Sequence, residues 1–460
     1  MTRHDYREFI QNNPVTVLGA QRSGIAVAKL LKKHGCDVFL SDFNEAAIPE
    51  NVAAELGELE IPFESGQHSH RVYESSLVVV SPGIPGDARV ITELSHRDIT
   101  LVSEVEVSSW FVDAPLIAIT GSNGKTTTTT LIAHFLGGDH YNAVLCGNIG
   151  RAFANAVLEE KDSTKKTIYV AEVSSFQLER IPTFRPDVAL ILNITPDHLN
   201  RYDTFEDYYQ AKFNITNQQT SEDELLLNND DPILKSEISS DAQKRYFSIL
   251  PDFTGSDFHW DGTWIRYNGE KFLQYSDCKI RGMHNLANVL AALNGVVRFI
   301  PEESENFFEQ MKAVLRRFTG IEHRLEYVDE VNGVTYYNDS KATNVDSVKY
   351  AVESFSEPVY LILGGYDKNA VFTDLLPSIE KHVKETIAIG KARTIIQQML
   401  SPAVDVRMIE HLEDAMDYIA RDSSPGDVAL LSPACASFDQ YQDYEERGNH
   451  FKELVSGLKS

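Results

Sequence analysis

Cysteine is scarce in this chain. Its 460 residues contain four, Cys36, Cys146, Cys278 and Cys435. They lie far apart, with no C-x-x-C pair and no metal-ligand spacing. That argues against a disulfide scaffold and suits a reduced, cytoplasmic protein. Long apolar runs are also missing. No stretch approaches the roughly 18 residues of a membrane span, and Met1 to Pro14 has no apolar core of a signal peptide. Basic residues are outnumbered: 42 Lys and Arg face 68 Asp and Glu, for a formal charge of −26. So acidic a chain lacks the basic footprint of sequence-independent nucleic-acid binding. Anionic membrane surfaces would repel it. An anionic ligand must be held by local groups that oppose the global field.

What is present is ordinary for a soluble globular protein, with 42% apolar and 24% charged residues. At about 150 residues per domain the length predicts three domains. In the first block, Val15–Leu18, Val38–Leu40 and Leu77–Val80 read as strands around a helical pattern from Ile25 to His34. In the second, a strand at 116–119 precedes a helix carrying Leu131, Ile132 and Phe135. Ile168–Val173 and Val188–Ile194 are further buried strands, Phe258–Ile280 suggests hairpins, and Leu286–Phe299 and Phe307–Phe318 look helical. In the third, strands at 359–363, 386–389, 404–409 and 428–431 alternate with helical patterns at 372–383 and 412–420. Such alternation predicts parallel sheets. The expected architecture is therefore α/β in three domains: a Rossmann-like domain over 1–112, a P-loop-type domain with a mostly parallel sheet over 113–319, and a second Rossmann-like domain over 320–460.

Two Gly-rich turns link a strand to a helix. Gly19-Ala20-Gln21-Arg22-Ser23-Gly24 is close to a dinucleotide fingerprint, and Asp42 ends the next strand. However, Gln21 stands where a second glycine should let a pyrophosphate approach the backbone. A different anion at this helix start is favoured over NAD. The second turn, Thr120-Gly121-Ser122-Asn123-Gly124-Lys125-Thr126, is a shortened P-loop, since Ile119 stands where the longer pattern begins. Its backbone N–H groups would converge on phosphate. Lys125 would reach the β- and γ-phosphates, and the Thr126 hydroxyl is placed for Mg²⁺.

Strand ends carry polar groups that packing alone does not need. Glu172 lies in an apolar strand, where a carboxylate is costly unless paired or bound to a metal. His198 follows another strand and could be a metal ligand, a phosphate donor or a loop histidine. Asn338 to Asn344 alternates Asp and Lys in a way that suits a nucleotide and an anionic substrate. Lys212 reads by default as a solvated helix lysine, and Asn285 as a helix N-cap. Gly364 to Lys368 is a turn after a strand. Cys435, within Ser432 to Asp439, has no base nearby in sequence and reads as packing.

Together these segments resemble the Mur ligases, the ATP-dependent amide-forming enzymes of peptidoglycan precursor synthesis. The resemblance spans essentially the whole chain. The segments around the shortened P-loop, Glu172, His198, Asn285, His323-Arg324 and Asp339-Ser340-Lys341 match in order and spacing. Gly19 to Gly24, Ser81 to Pro85, Glu172 to Gln177 and Ser432 to Asp439 look like the branch that adds D-glutamate. The resemblance implies a monomeric enzyme using ATP, D-glutamate and UDP-MurNAc-L-Ala, with two Mg²⁺ ions. It implies that Gly121, Ser122, Asn123, Gly124, Lys125, Thr126, Thr127, Asn285, Arg324, Asp339 and Lys341 bind ATP. Arg22, Ser23, Asp42, Ser81, Gly83, Asn148, Ser174, Gln177 and His198 would hold the UDP-sugar. Lys341, Thr343, Lys368, Ser437, Phe438 and Tyr444 would form the amino-acid pocket. Thr126, Glu172, His198 and a carbamylated Lys212 would bind the metals, with Lys125, His198 and Lys212 catalytic. A carbamate can ligate Mg²⁺ where a bare ammonium cannot. Phe43 and Asn44 depart from the Thr-Arg of a relative, which leaves the uracil and ribose contacts open. A nicotinamide oxidoreductase, a nucleotide-sugar sensor and another amide ligase of the same family are the rival readings.

Overall fold

The computed structural model describes residues 1–97, 99–160, 163–197, 201–280, 282–367 and 370–459. The chain is mixed α/β and divides into two compact units. One comprises residues 1–194, 204–272 and 288–311, and the other residues 195–203, 273–287 and 312–460.

The first unit holds two parallel sheets. Strands β1 (Val15–Leu18), β2 (Val38–Asp42), β3 (Phe63–Ser65), β4 (Leu77–Val80) and β5 (Thr100–Ser103) pair in the order β3-β2-β1-β4-β5. Every residue of β1 and β4 is buried, which explains why they read as continuous apolar runs rather than alternating ones. The helix Arg22–Lys33 covers this sheet with Ala26, Val27, Leu30 and Leu31 and ends in Lys32 and Lys33, which complement its dipole.

The second sheet runs β11-β10-β9-β6-β8-β7. Its strands are β6 (Leu116–Thr120), β7 (Tyr141–Gly147), β8 (Lys166–Glu172), β9 (Val188–Ile191), β10 (Glu224–Asn228) and β11 (Gln243–Phe247). All five pairings are parallel. The helix after β6, Lys125–Leu136, opens with five consecutive threonines. β-Branched residues are poor helix formers, so tertiary bonds must hold this turn. Thr126 donates to Glu172 at 2.8 Å and Thr128 to Asn288 Oδ1 at 3.5 Å, whereas Thr129 bonds back to the Lys125 carbonyl of its own helix at 2.7 Å. Strands β12 (Phe258–Trp260), β13 (Trp264–Tyr267) and β14 (Glu270–Gln274) form a separate three-stranded sheet, the hairpins expected from the aromatic runs there.

The second unit holds the sheet β15-β16-β20-β17-β18-β19. Its strands are β15 (Glu326–Val331), β16 (Val334–Asn338), β17 (Val359–Gly364), β18 (Val383–Ile389), β19 (Val406–Met408) and β20 (Val428–Leu431). Only the β15–β16 pair is antiparallel. The half-exposed hairpin strand β15 escaped sequence reading because its apolar residues are few. The helical pattern expected over 372–383 is in fact a 3₁₀ turn, Phe372–Leu375, and a helix, Leu376–His382, with Val383 already in β18.

The helix Glu104–Trp110 follows the first sheet and is buried along its whole length. Two of its residues are carboxylates. Glu106 accepts from Trp110 Nε1 at 2.8 Å, from the Thr183 N–H at 2.9 Å and from the Thr183 hydroxyl. Glu104 accepts from the Ala154 N–H at 2.6 Å and from the Ser108 hydroxyl at 3.1 Å. The second oxygen of each has no partner among the described residues. Burial therefore pushes the Glu104 carboxyl up to about 7, against the pull of its two donors. A carboxyl whose folded value is raised stabilises the fold while protonated. That contribution is complete below about pH 4.5 and fades as the pH rises through 7. Glu104→Gln keeps an acceptor for Ala154 and removes the charge. Its melting temperature should match wild type near pH 4.5 and exceed it at pH 8, by on the order of 2–3 kcal/mol of stability. A gap of equal size at both pH values would mean that Glu104 is ionised throughout.

Candidate functional site

Order reversal in the first sheet falls between β1 and β4, where a crevice forms at strand ends. Gly19 has φ 93°, and a Cβ there would press on the Ser81 side chain. A Cβ on Gly24 would collide with the Gly19 carbonyl, so the helix can approach the strand only as glycine. Asp42 shapes this turn. One of its oxygens accepts from the Ala20 N–H at 2.6 Å and the other from the Asn44 N–H at 2.8 Å. Ser81 is buried and donates to the Gly19 carbonyl at 3.3 Å. Gly83 is exposed nearby in sequence, Ser23 lies in the first helical turn, and Arg22 donates to the Gly150 carbonyl.

The shortened P-loop lies at the end of β6, whose neighbours are β8 and β9. Gly121 and Gly124 take φ of 148° and 82°. Lys125 Nζ turns onto the loop itself, donating to the Gly121 and Ser122 carbonyls at 2.8 and 2.9 Å. On the β8 side, Glu172 is 2% exposed. It accepts from the Thr126 hydroxyl at 2.8 Å and from Asn148 Nδ2 at 2.9 Å. Asn148 is fixed in turn by its own N–H, which donates to the Glu172 carbonyl at 2.8 Å. Ser174 and Gln177 form a capping box on the helix Ser175–Leu178. The oxygens of Thr126 and Glu172 are the hard donors that Mg²⁺ prefers. Mg²⁺ is commonly held by one or two carboxylates plus substrate phosphates, and these two residues fit that pattern.

Lys212 is not the solvated lysine that its helix suggested. It is 2% exposed, donates to the Gly121 carbonyl at 3.1 Å and lies 4.6 Å from the Tyr208 ring centroid. The Tyr208 hydroxyl in turn meets Ser122 Oγ at 3.0 Å. Asn193 was missed by sequence reading. Its Oδ1 accepts from the Asn123 N–H at 2.8 Å, its Nδ2 donates to the Asn123 carbonyl at 3.1 Å, and its carbonyl accepts from the Ser122 N–H at 2.9 Å. Its position two residues past an apolar strand was the available signal. His198 lies outside the described residues.

In the second unit the candidates gather at the ends of β16, β17 and β20. Asp339 is buried, with its carboxylate accepting from the Ser432 hydroxyl at 2.7 Å and the Leu325 N–H at 3.1 Å. Burial pushes its carboxyl up to about 7, while Ser432 and the nearby Arg324 charge pull the other way. Arg324 sits between two residues in left-handed backbone, His323 (φ 63°) and Leu325 (φ 43°). Neither is glycine, so each costs on the order of 1 kcal/mol or more. The Glu326 carboxylate, which accepts from the His323 N–H at 2.8 Å, and Asn338 hold that turn. Asn285 lies inside the helix Met283–Gly295, so the N-cap reading of it is corrected.

Arg447 ties these strand ends together and was not anticipated. It is 1% exposed. Its guanidinium donates to Ser340 Oγ at 2.9 Å, to the Ser340 and Cys435 carbonyls at 2.8 and 3.2 Å, and to the Gly364 carbonyl at 3.4 Å. Ser340 also donates to the Tyr444 carbonyl at 2.8 Å, and Lys341 Nζ lies 5.3 Å from the Tyr444 ring centroid. Thr343 is half-buried two residues beyond Lys341. Ser437 is buried, Phe438 is 70% exposed, and Lys368 lies outside the described residues. Cys435 is buried, as a packing residue should be.

The P-loop pattern thus lies beside a buried carboxylate at the end of a parallel strand. Residues 119–296 match the Mur ligase middle domain, and residues 323–435 match the Mur ligase glutamate ligase domain. A relative from Salinibacter ruber named UDP-N-acetylmuramoylalanine--D-glutamate ligase is 40% identical, over 98% of this chain and 99% of its own. One of the same name from Geobacter is 39% identical over the same shares. The chain thus belongs to the Mur ligase family of ATP-dependent carbon–nitrogen ligases. Two solved structures share its fold. UDP-N-acetylmuramate-alanine ligase from Thermotoga maritima has a TM-score of 0.60 at 19% identity, covering 97% of this chain and 100% of that one. MurF ligase from Thermotoga maritima in complex with ADP has a TM-score of 0.58 at 18% identity, covering 83% and 89%.

Arg447→Lys keeps a charge but loses the planar fork that spans three loops. Calorimetry should show a folded protein destabilised by roughly 2–4 kcal/mol. An unchanged melting temperature would show that the loops hold their shape without the fork.

Proposed function

We propose that the chain joins D-glutamate to UDP-N-acetylmuramoyl-L-alanine in the cytoplasmic synthesis of peptidoglycan precursors. ATP phosphorylates the alanyl carboxylate, and the amine of D-glutamate displaces phosphate from the resulting acyl phosphate. The observation that carries this reading is the end-to-end identity with the two D-glutamate ligases. The Thr126–Glu172–Asn148 contact beside Lys125 supports the phosphoryl chemistry.

The substrates are shared among the three domains. Residues 1–112 hold the UDP end through Arg22, Ser23, Asp42, Ser81 and Gly83. Residues 113–319 add Asn148, Ser174, Gln177 and His198 for the sugar diphosphate. They bind the ATP phosphates through Gly121 to Thr127, and Asn285 serves the nucleotide. Residues 320–460 complete nucleotide binding with Arg324, Asp339 and Lys341. The amino acid is met by Lys341, Thr343, Lys368, Ser437, Phe438 and Tyr444.

The reacting carboxylate and the γ-phosphate are both anionic and repel each other. Bound Mg²⁺ would neutralise that charge, held by Thr126 and Glu172 and, for a second ion, by His198 and a carbamylated Lys212. Lys125 would exchange the Gly121 and Ser122 carbonyls for phosphate oxygens and stabilise the charge that develops in the transition state. The neutral amine of D-glutamate attacks the acyl carbon, a tetrahedral intermediate forms, and its collapse expels phosphate. Water must be kept from the reacting groups, or the acyl phosphate is hydrolysed.

The enzyme works as a monomer on small molecules, apart from nucleic acid and membrane. Its charge of −26 supports this, and no helix among the described residues is long and apolar enough to cross a membrane.

With ATP, Mg²⁺ and UDP-MurNAc-L-Ala, ADP release should require D-glutamate and not occur with L-glutamate, L-alanine or a diamino acid. Turnover with another amino acid would overturn the substrate assignment. Lys125→Ala should lose roughly 100-fold or more in turnover while still binding the UDP-sugar. A carbamate at Lys212 should give a carbon-13 resonance from labelled bicarbonate that Lys212→Arg abolishes. The same signal in both proteins would place it elsewhere.

A further inference from the structure

The P-loop leans on Asn193, and Asn193 sits in the segment Leu192–Ile194, which directly follows β9. Between Gly121 and Gly124 the glycines leave the backbone course open. Asn193 fixes it, by bonding the peptide groups of Ser122 and Asn123. The segment Leu192–Ile194 is itself held from its far side, by residues at the end of β10. Asn228, the last residue of β10, donates Nδ2 to the Leu192 carbonyl at 3.0 Å. Asp231 is 8% exposed and divides its carboxylate between two tasks. Oδ1 caps the helix Pro232–Ser236, accepting from the Ile233 and Leu234 N–H groups at 2.9 and 3.1 Å. Oδ2 accepts from the Ile194 N–H at 2.7 Å. The cap fixes the carboxylate plane, so Ile194 is bonded to an acceptor that cannot turn away. Asn193 thus has a braced residue on either side.

We propose that Asp231 and Asn228 are positioning residues for the ATP phosphates, acting through Asn193 on the peptide groups of the P-loop. The proposal rests on the reading that this loop binds ATP. It adds residues that touch no substrate, and it predicts an effect confined to the nucleotide. Order in the P-loop matters because the Ser122 and Asn123 N–H groups, bonded to Asn193, set the course of the chain into the helix start, whose N–H groups must aim at phosphate before the nucleotide arrives. A loop that has lost its brace must be ordered by the ligand itself, at a cost in affinity.

Asp231→Asn separates the two tasks of the carboxylate. Asparagine caps a helix as well as aspartate does. Its amide nitrogen, however, is a donor and cannot accept from the Ile194 N–H. Titration of the full-length protein with ADP and Mg²⁺ by calorimetry should show affinity weakened about tenfold. The KM for ATP should rise by a similar factor, with kcat and the KM values for UDP-MurNAc-L-Ala and D-glutamate kept within about twofold. Asn228→Ala should act in the same direction, and leaves the helix cap untouched if Asp231→Asn proves unstable. Asp230→Asn is the control, since Asp230 bonds Ser248 and Ile249 instead. Wild-type ADP affinity in folded Asp231→Asn and Asn228→Ala overturns the proposal. So does an equal loss for the UDP-sugar, or an equal loss of ADP affinity in Asp230→Asn. If the wild-type protein binds no ADP, the ATP reading falls and takes the proposal with it.

Discussion

The contact between Glu172 and Thr126 is the constraint on which the first unit depends. A carboxyl group at the end of a buried strand is costly without partners. Thr126 and Asn148 supply them, and each comes from a different strand end. Thr126 follows β6, Asn148 follows β7, and Glu172 ends β8. One carboxylate therefore fixes three strand ends in register at the mouth of the sheet. The sheet order places β6 between β8 and β9. The P-loop thus has Glu172 on one side and Asn193 on the other, and its shape follows from strand order as much as from its own glycines. The five threonines of the following helix fit this view. They form a helix of poor intrinsic propensity that is held by what its hydroxyls bond.

A net charge of −26 opposes the approach of anions, so local groups must offset it wherever an anion is bound. The P-loop resolves the conflict with neutral donors. Backbone N–H groups at a helix start favour anions and add nothing to the net charge. The two lysines at the loop, Lys125 and Lys212, both donate to the Gly121 carbonyl. They are therefore stored against the loop itself, one half-buried and one fully buried.

Much of this was legible in the sequence where chemistry is local. The strand before Gly121, the helix after Lys125 and the turn at Gly19 are short-range patterns, and the structure holds all three. The Glu172 carboxylate was legible because an acid in an apolar strand demands an explanation. Lys212 was misread as solvated because helix periodicity does not say what lies across from a given face, and here that is Gly121. Asn285 had capping chemistry but not the capping position, since the helix starts before it. Arg447 was invisible for a related reason. Three of its four acceptors are backbone carbonyls, those of Ser340, Gly364 and Cys435, beside the Ser340 hydroxyl. Backbone acceptors leave no trace in residue identity, and a lone arginine in a polar helix reads as surface.

The same logic explains the strained turn at Arg324. Two non-glycine residues in left-handed backbone persist only where neighbours over-determine them. His323 is fixed by Glu326 and Asn338, and its carbonyl accepts from the Lys341 N–H at 3.0 Å. Leu325 is fixed by Asp339. Apart from the bond to Glu326, which opens β15, the bonds that hold the strain come from the β16 end, the same segment that carries Asp339 and Lys341. Glycine at 323 or 325 would relieve the backbone and loosen the coupling between Arg324 and that segment. Retaining two costly residues there is understandable if Arg324 must be aimed before its ligand arrives, because a pre-aimed guanidinium loses less side-chain entropy on binding. The strain is then the cost of preorganisation, and Asn338, Asp339 and Glu326 are the groups that sustain it.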